Sequence, residues 1–158
     1  MKSDYLKFWR VVRYYIKAKH GLTEADLDIL LFLYSEGYFT KDKFHEFDNL
    51  ISWNKNRFED LRQAGWIEVF RKRDVSKKKK AIYQLSFKGN NVVKEIYNKL
   101  NGEEIPTSLA HNPMYDRNAS FNDKVYRHFI KLMNLSLQKT RRDSVDEVNS
   151  TQKETRSS

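Results

Sequence analysis

The sequence contains no cysteine, only two prolines and only five glycines among its 158 residues. Without cysteine there are no disulfides, thiolate metal sites, cysteine nucleophiles or thiol redox sensors. This composition fits a reducing compartment, and we expect a cytoplasmic protein. The first twenty residues also lack a long apolar run, because they carry a charge every few positions: MKSDYLKFWRVVRYYIKAKH. We therefore expect neither a signal peptide nor a membrane span in them.

The motifs of common enzymes are also absent. There is no P-loop, no GxGxxG and no GxSxG sequence. The four histidines are far apart in the sequence and do not have the paired spacing of metal ligands: His20, His45, His111 and His128. We therefore expect a protein that is not an enzyme and that needs no cofactor or metal.

What the sequence does contain is a large and unevenly distributed positive charge. The net charge is +9, and 39% hydrophobic residues accompany 32% charged ones, which predicts one folded domain with an ionised surface. Residues 1–20 hold six basic side chains and one acidic one, and residues 71–80 hold seven and one. Between them, residues 21–70 hold ten acidic and five basic side chains. Clustered basic charge favours a polyanionic partner, most often nucleic acid, although it also serves solubility alone.

Helical periodicity divides the first half of the chain. Apolar residues recur at helical spacing from Asp4 to Lys19, and again after Thr23, a residue type that caps helices, up to Gly37. Thr40 and Ser52 are the predicted caps of a third and a fourth helix. Two short helices joined by a turn form a helix-turn-helix unit.

A hairpin and two further helices are predicted beyond this unit. WIEVFRKR and AIYQLS alternate as strands, with DVSKKKK as a cationic tip between them. Helices are predicted from Phe87 to Leu100 and from Phe121 to Leu137. Residues 101–120 contain both prolines and are predicted to be a linker. The predicted organisation is a winged helix-turn-helix domain over residues 1–100, this linker, a C-terminal helix over 121–137 and a disordered tail over 138–158.

Three fragments carry a resemblance to a known family. They are LTEADLDILLFLYSEG before Tyr38, LRQAGWIE from Leu61 to Glu68, and LSFKG from Leu85 to Gly89. In this order the chain resembles the MarR family of winged-helix transcription regulators over residues 5–100, with further similarity to Leu137. The resemblance implies a mainly α fold with a small β-hairpin, a winged helix-turn-helix with additional terminal helices.

Two positions differ from the family's pattern. The family braces its wing with an Asp-x-Arg element; Asp74 matches the acid, but Ser76 stands in place of the arginine, which leaves Lys77 or Lys78 as substitutes. The predicted recognition helix has Asn54 and Arg57 at positions that are apolar in the family. Such side chains either face solvent or are satisfied inside the protein.

The resemblance implies that the helix from Ser52 enters the major groove of DNA and that the wing contacts phosphates. Asn56 and Arg57 are suited to hydrogen bonds with base edges. Trp53 either contacts DNA as well or packs on the third helix. The predicted DNA-binding residues are Ser52, Trp53, Lys55, Asn56, Arg57, Arg71, Lys72, Arg73, Lys77, Lys78, Lys79 and Lys80.

The expected partner is therefore double-stranded DNA, bound by a transcriptional regulator. The first and sixth helices carry more apolar residues than a monomer easily covers, and in the resembled family the terminal helices form a homodimer. The alternative is that both helices complete one larger core. An effector commonly binds members of that family, but no residue here identifies one. Two other functions stay open: a winged-helix module for a protein partner, which the acidic middle of the chain favours, and RNA binding through the wing.

Overall fold

The computed structural model describes residues 5–156, so the predicted helix start at Asp4 and the last two residues of the predicted tail lie outside the described residues. The elements in chain order are α1 (Tyr5–His20), α2 (Glu24–Glu36), β1 (Tyr38–Phe39), α3 (Lys41–Ile51), α4 (Arg57–Gln63), β2 (Ile67–Arg71), β3 (Ile82–Leu85), α5 (Phe87–Leu100), a 3₁₀ turn (Pro113–Tyr115) and α6 (Phe121–Arg156).

Side-chain caps fix the starts of α2 and α3. The Thr23 hydroxyl accepts a hydrogen bond from the backbone N–H of Asp26 at 3.1 Å, and the Thr40 hydroxyl accepts one from Lys43 at 3.2 Å. Each bond satisfies a donor that the first helical turn leaves open. At its other end α2 stops at Gly37, whose φ of +79° a residue with a Cβ rarely adopts. The predicted caps Thr23 and Thr40 and the predicted stop at Gly37 are confirmed.

The sheet has three antiparallel strands in the order β1-β3-β2. Ile67 pairs with Leu85, and Phe39 pairs with Tyr83. The predicted hairpin is present, but β1 was not predicted. The Tyr83 ring packs edge-on against that of Phe58 at 4.9 Å between centroids, which joins the sheet to α4. The succession of a helix-turn-helix and a hairpin confirms the predicted fold class, a mainly α winged helix-turn-helix with additional terminal helices.

The chain divides into two compact units. One is formed by His20–Tyr97 and contains the winged helix; the other is formed by the residues up to Lys19 and those from Asn98 onwards. This division differs from the predicted domain of residues 1–100, because α1 bonds to the C-terminal residues. The Tyr5 hydroxyl donates to Asn101 Oδ1 at 2.8 Å, for example. Such contacts between distant parts of a chain leave no local pattern.

The segment predicted as a linker is partly buried. Ile105 and Met114 are nearly inaccessible to solvent. The Asn134 side chain accepts a bond from the Ile105 N–H at 3.0 Å and donates one to the Ile105 carbonyl at 2.9 Å. Residues 101–120 are thus held against α6, although they have little regular structure.

The predicted end of the last helix at Leu137 is corrected by the structure. In the structure α6 continues to Arg156, where the sequence predicted a disordered tail. The residues after Leu137 include no proline or glycine that would stop a helix. The residues after Leu137 have no apolar stripe, and the sequence therefore suggested disorder. In the structure they form the end of a helix that is exposed on nearly all sides.

Tyr14 joins α1 to α6. Its hydroxyl donates to Asp123 Oδ1 at 2.6 Å, and its ring stacks on Tyr126 with 3.8 Å between centroids. Desolvation, followed by the hydrogen bond to Asp123, raises the pKa of Tyr14 to about 12. Both causes disfavour the phenolate in the folded protein.

We therefore expect Tyr14 to ionise near pH 12. Because the folded pKa lies above the ordinary value of 10.0, the stabilisation is complete below pH 10 and is lost as the pH rises from 10 to 12. Tyrosinate absorbance during a pH titration measures this, and Tyr14→Phe is expected to reduce the absorbance change near pH 12. A change near pH 12 that is as large in Tyr14→Phe as in the wild type would contradict the assignment.

Candidate nucleic-acid interface

The helix-turn-helix consists of α3, a turn at residues 52–56, and α4. The predicted start of the fourth helix near Ser52 is wrong, since α4 begins at Arg57. Ser52 instead ends α3, with its N–H bonded to the Asp48 carbonyl at 3.0 Å. The Asp48 carboxylate accepts the Asn54 N–H, and the Asn54 side chain accepts the Asn56 N–H, both at 3.0 Å. These bonds hold the segment as a turn and compete with helix formation.

Arg57 is buried and cannot serve as the predicted base-reading residue. Its Nε donates to Asp26 Oδ1 at 3.0 Å, and its Nη1 donates to Asp48 Oδ1 and to the Ser52 carbonyl. The side chain of Arg57 is 8% exposed and that of Asp48 is fully buried. The predicted role of Arg57 in reading bases is therefore wrong. Its hydrogen bonds instead connect α2, α3 and the turn. The sequence left two alternatives for Arg57, exposure to solvent or hydrogen bonding inside the protein, and the second is the one that occurs.

The exposed surface of the turn and of α4 carries both signs of charge. Ser52, Trp53, Lys55 and Asn56 are exposed, and Trp53 presents 65% of its surface to solvent. The first turn of α4 then exposes Glu59 and Asp60, followed by Arg62, whose nearest carboxylate oxygen is that of Glu59 at 3.5 Å. Two exposed carboxylates at the start of α4 repel phosphate, so α4 contributes little electrostatic attraction to DNA.

The wing comprises β2, β3 and the connecting tip at residues 72–81. Asp74 and Lys79 exchange backbone hydrogen bonds of 2.9–3.0 Å, which closes the tip. Asp74 Oδ1 accepts from the Ser76 hydroxyl at 2.6 Å and from the Lys77 N–H at 3.3 Å. The Ser76 bond is the main reason that the pKa of Asp74 is lowered. The hydroxyl of Ser76, rather than the side chain of Lys77 or Lys78, thus holds the Asp74 carboxylate in place of an arginine.

All seven basic residues of the wing are exposed. They are Arg71, Lys72, Arg73, Lys77, Lys78, Lys79 and Lys80. Lys78 lies at the turn with a φ of +52°, the left-handed region. A groove of about 680 Å³ separates the tip from the first turn of α3, and Lys41 of α3 lines it together with wing residues.

One ion pair crosses this groove. Lys80 Nζ donates to Asp42 Oδ2 at 2.6 Å, and this bond lowers the pKa of Asp42. Both side chains are largely exposed, so the pair adds little stability.

The structure therefore brings the seven predicted wing residues together on one hairpin, beside the amino end of α3. Ser52, Trp53, Lys55 and Asn56 form a second exposed group in the turn. Lys41 was missed by the sequence analysis; the signal that could have found it is its place directly after the capping residue Thr40.

Residues 5–156 contain no group of three or more His, Asp or Glu side chains that could hold a metal ion. No helix in this part of the chain is long and apolar enough to cross a membrane.

No protein-family model matches the sequence, and no curated protein matches it significantly. Among solved structures, the chain is similar to a crystal structure of a mutant MarR from E. coli complexed with operator DNA. The two chains share 14% identity with a TM-score of 0.42, over 77% of this chain and 80% of that chain. A likeness this distant bears on neither the function nor the binding residues of this chain.

Proposed function

We propose that this protein is a transcriptional regulator that binds duplex DNA with its wing. The observation that carries the proposal is the exposed hairpin with seven basic side chains beside the helix-turn-helix. A hairpin of this kind can lie along the minor groove or the adjacent backbone. The turn residues Ser52, Trp53, Lys55 and Asn56 are the groups positioned for the bases, because Arg57 is held inside.

A titration of labelled duplex DNA with the protein at several salt concentrations tests this proposal. Each phosphate that a cation neutralises lowers the slope of log K against log salt by about 0.9. Six or seven wing contacts therefore predict a slope of about −5 to −6. Absence of binding at low salt would refute the proposal.

A second candidate is a module for a protein partner. The exposed Glu59 and Asp60 on α4 favour it, since this face would normally approach DNA. A pull-down that recovers one stoichiometric protein partner, even with Lys77–Lys80 replaced by alanine, would favour this function over the first. Duplex RNA in the same salt titration separates RNA binding from DNA binding.

We further propose that the regulator is a homodimer formed through α6. In α1, Val11, Val12, Tyr15 and Ile16 are buried within the chain, while Leu6 at its start is exposed. By contrast, α6 exposes an apolar stripe at helical spacing that a monomer leaves in water: Phe121, Val125, Phe129, Leu132 and Leu135. Sedimentation equilibrium of the wild type and of Leu132→Glu tests this, and a wild type that stays monomeric at high concentration would contradict it.

A further inference from the structure

The turn between α3 and α4 is held in place by hydrogen bonds that leave two of its side chains unused. The Asn54 carbonyl accepts the Arg57 N–H at 3.1 Å, and the side chains of Asp48 and Asn54 hold further N–H groups of the turn. None of these bonds involves the side chain of Trp53 or of Asn56. The backbone of the turn is therefore ordered before a ligand binds, which lowers the entropic cost of binding through these two side chains.

Asn56 precedes the first residue of α4 without capping the helix. Asparagine is preferred at such a position because its side chain accepts a hydrogen bond from the first turn, and a capping residue usually has an extended backbone. Asn56 instead has φ −94° and ψ −11°, and its side chain makes no capping bond. Because the residue is exposed, its carboxamide is accessible to a ligand.

Trp53 differs in exposure from the other two tryptophans. Trp66 is 4% exposed and Trp9 is half-buried, whereas Trp53 is 65% exposed. Within residues 5–156, no aromatic ring and no cationic group is in contact with the Trp53 ring. A ligand with an apolar group of its own would gain from removing this ring from water.

We propose that this turn recognises A·T base pairs in the major groove, with Trp53 against the thymine methyl group and the Asn56 carboxamide on adenine. This inference rests on the proposed function. Asparagine pairs with adenine through N6 and N7, and apolar side chains contact the C5 methyl group that thymine alone carries. Guanine is most often read by arginine, and the arginine nearest to the turn, Arg57, is held inside.

The spacing of the two side chains fits neighbouring base pairs. Trp53 and Asn56 are three residues apart. Three residues of chain span at most about 10 Å, and successive bases of one strand are about 3.4 Å apart along the axis. Both side chains therefore reach bases within about three steps of each other.

The first measurement uses the wild type alone. A pool of duplexes with randomised sequence is enriched for binding, and A·T pairs are expected at the selected positions. The enriched duplex is then made with uracil in place of thymine, which removes only the methyl group, or with 7-deazaadenine in place of adenine, which removes N7. The affinity is expected to fall about fourfold for a lost methyl contact and about fivefold for a lost adenine contact.

The second measurement repeats these titrations with variants. Trp53→Ala is expected to bind the thymine and uracil duplexes equally, and Asn56→Ala the adenine and 7-deazaadenine duplexes, because each variant lacks the group that senses the change. Phe87→Ala and Asn91→Ala on α5 are the matched controls, since both residues are exposed, and they should keep the wild-type differences. Circular dichroism checks the fold, and the modified duplexes test the inference on the wild type if a variant does not fold.

The outcomes separate this inference from the proposed function. A wild type that binds no duplex DNA refutes the proposed function, and the inference with it. Binding without sequence preference, selection of G·C pairs alone, or equal affinity for the modified and unmodified duplexes overturns the inference and leaves the wing as the DNA-binding element. Wild-type differences that persist in Trp53→Ala and Asn56→Ala also overturn it, and a protein partner then becomes the candidate ligand of Trp53.

Discussion

Replacing Lys72, Lys77 and Lys79 with glutamine is expected to weaken binding to duplex DNA by roughly 500-fold at about 0.1 M salt. Each phosphate contact contributes about eightfold at that concentration, because the released counterion enters the equilibrium with an exponent of about 0.9. The three side chains are exposed, so their replacement leaves the core unchanged. Lys80 is kept because it pairs with Asp42, and Lys78 because its backbone has positive φ.

Fluorescence anisotropy of a labelled duplex at several salt concentrations measures this effect. The loss of affinity should shrink as the salt concentration rises, because a purely electrostatic contribution is screened. Random and specific sequences should be affected alike, since phosphates carry no sequence information. An equal loss at all salt concentrations, or a loss confined to one sequence, would contradict phosphate contact by the wing.

The wing was predictable from the sequence because its signals are local. Strands flank seven basic residues, and a charged tip cannot belong to a core. The caps Thr23 and Thr40 were found for the same reason, since a cap depends on residues only three positions away. Local patterns thus predicted the starts of α2 and α3 and the position of the exposed hairpin.

The recognition helix was less predictable because its start depends on competing caps. Ser52 is a residue type that begins helices, yet it ends α3, and Asp48 and Asn54 use their side chains to hold the turn that follows. One hydrogen-bond partner of the buried Arg57 side chain is Asp26, which lies thirty-one positions upstream. Strand β1 has only two residues, too few for an alternating pattern to show.

The loss of Arg57 is expected to cost a large part of the stability. Arg57→Leu leaves the fully buried carboxylate of Asp48 without its cation, and breaking a buried ion pair from one side costs about 3–5 kcal/mol. Asp26 is less affected because its side chain retains some contact with water. Chemical denaturation measures the free energy of unfolding.

Arg62→Leu is the matched control, on the same helix and five residues away. Arg62 is exposed and pairs only with Glu59 at 3.5 Å, so its loss should cost no more than about 1 kcal/mol. Arg57→Leu combined with Asp48→Leu should recover part of the lost stability, because no unpaired charge then remains buried at that position. The recovery will be incomplete, since the Asn54 N–H also loses its acceptor when Asp48 is replaced. If the double variant is less stable than Arg57→Leu alone, the cost comes from lost packing or lost turn bonds, and the ion pair does not dominate the stability of the helix-turn-helix.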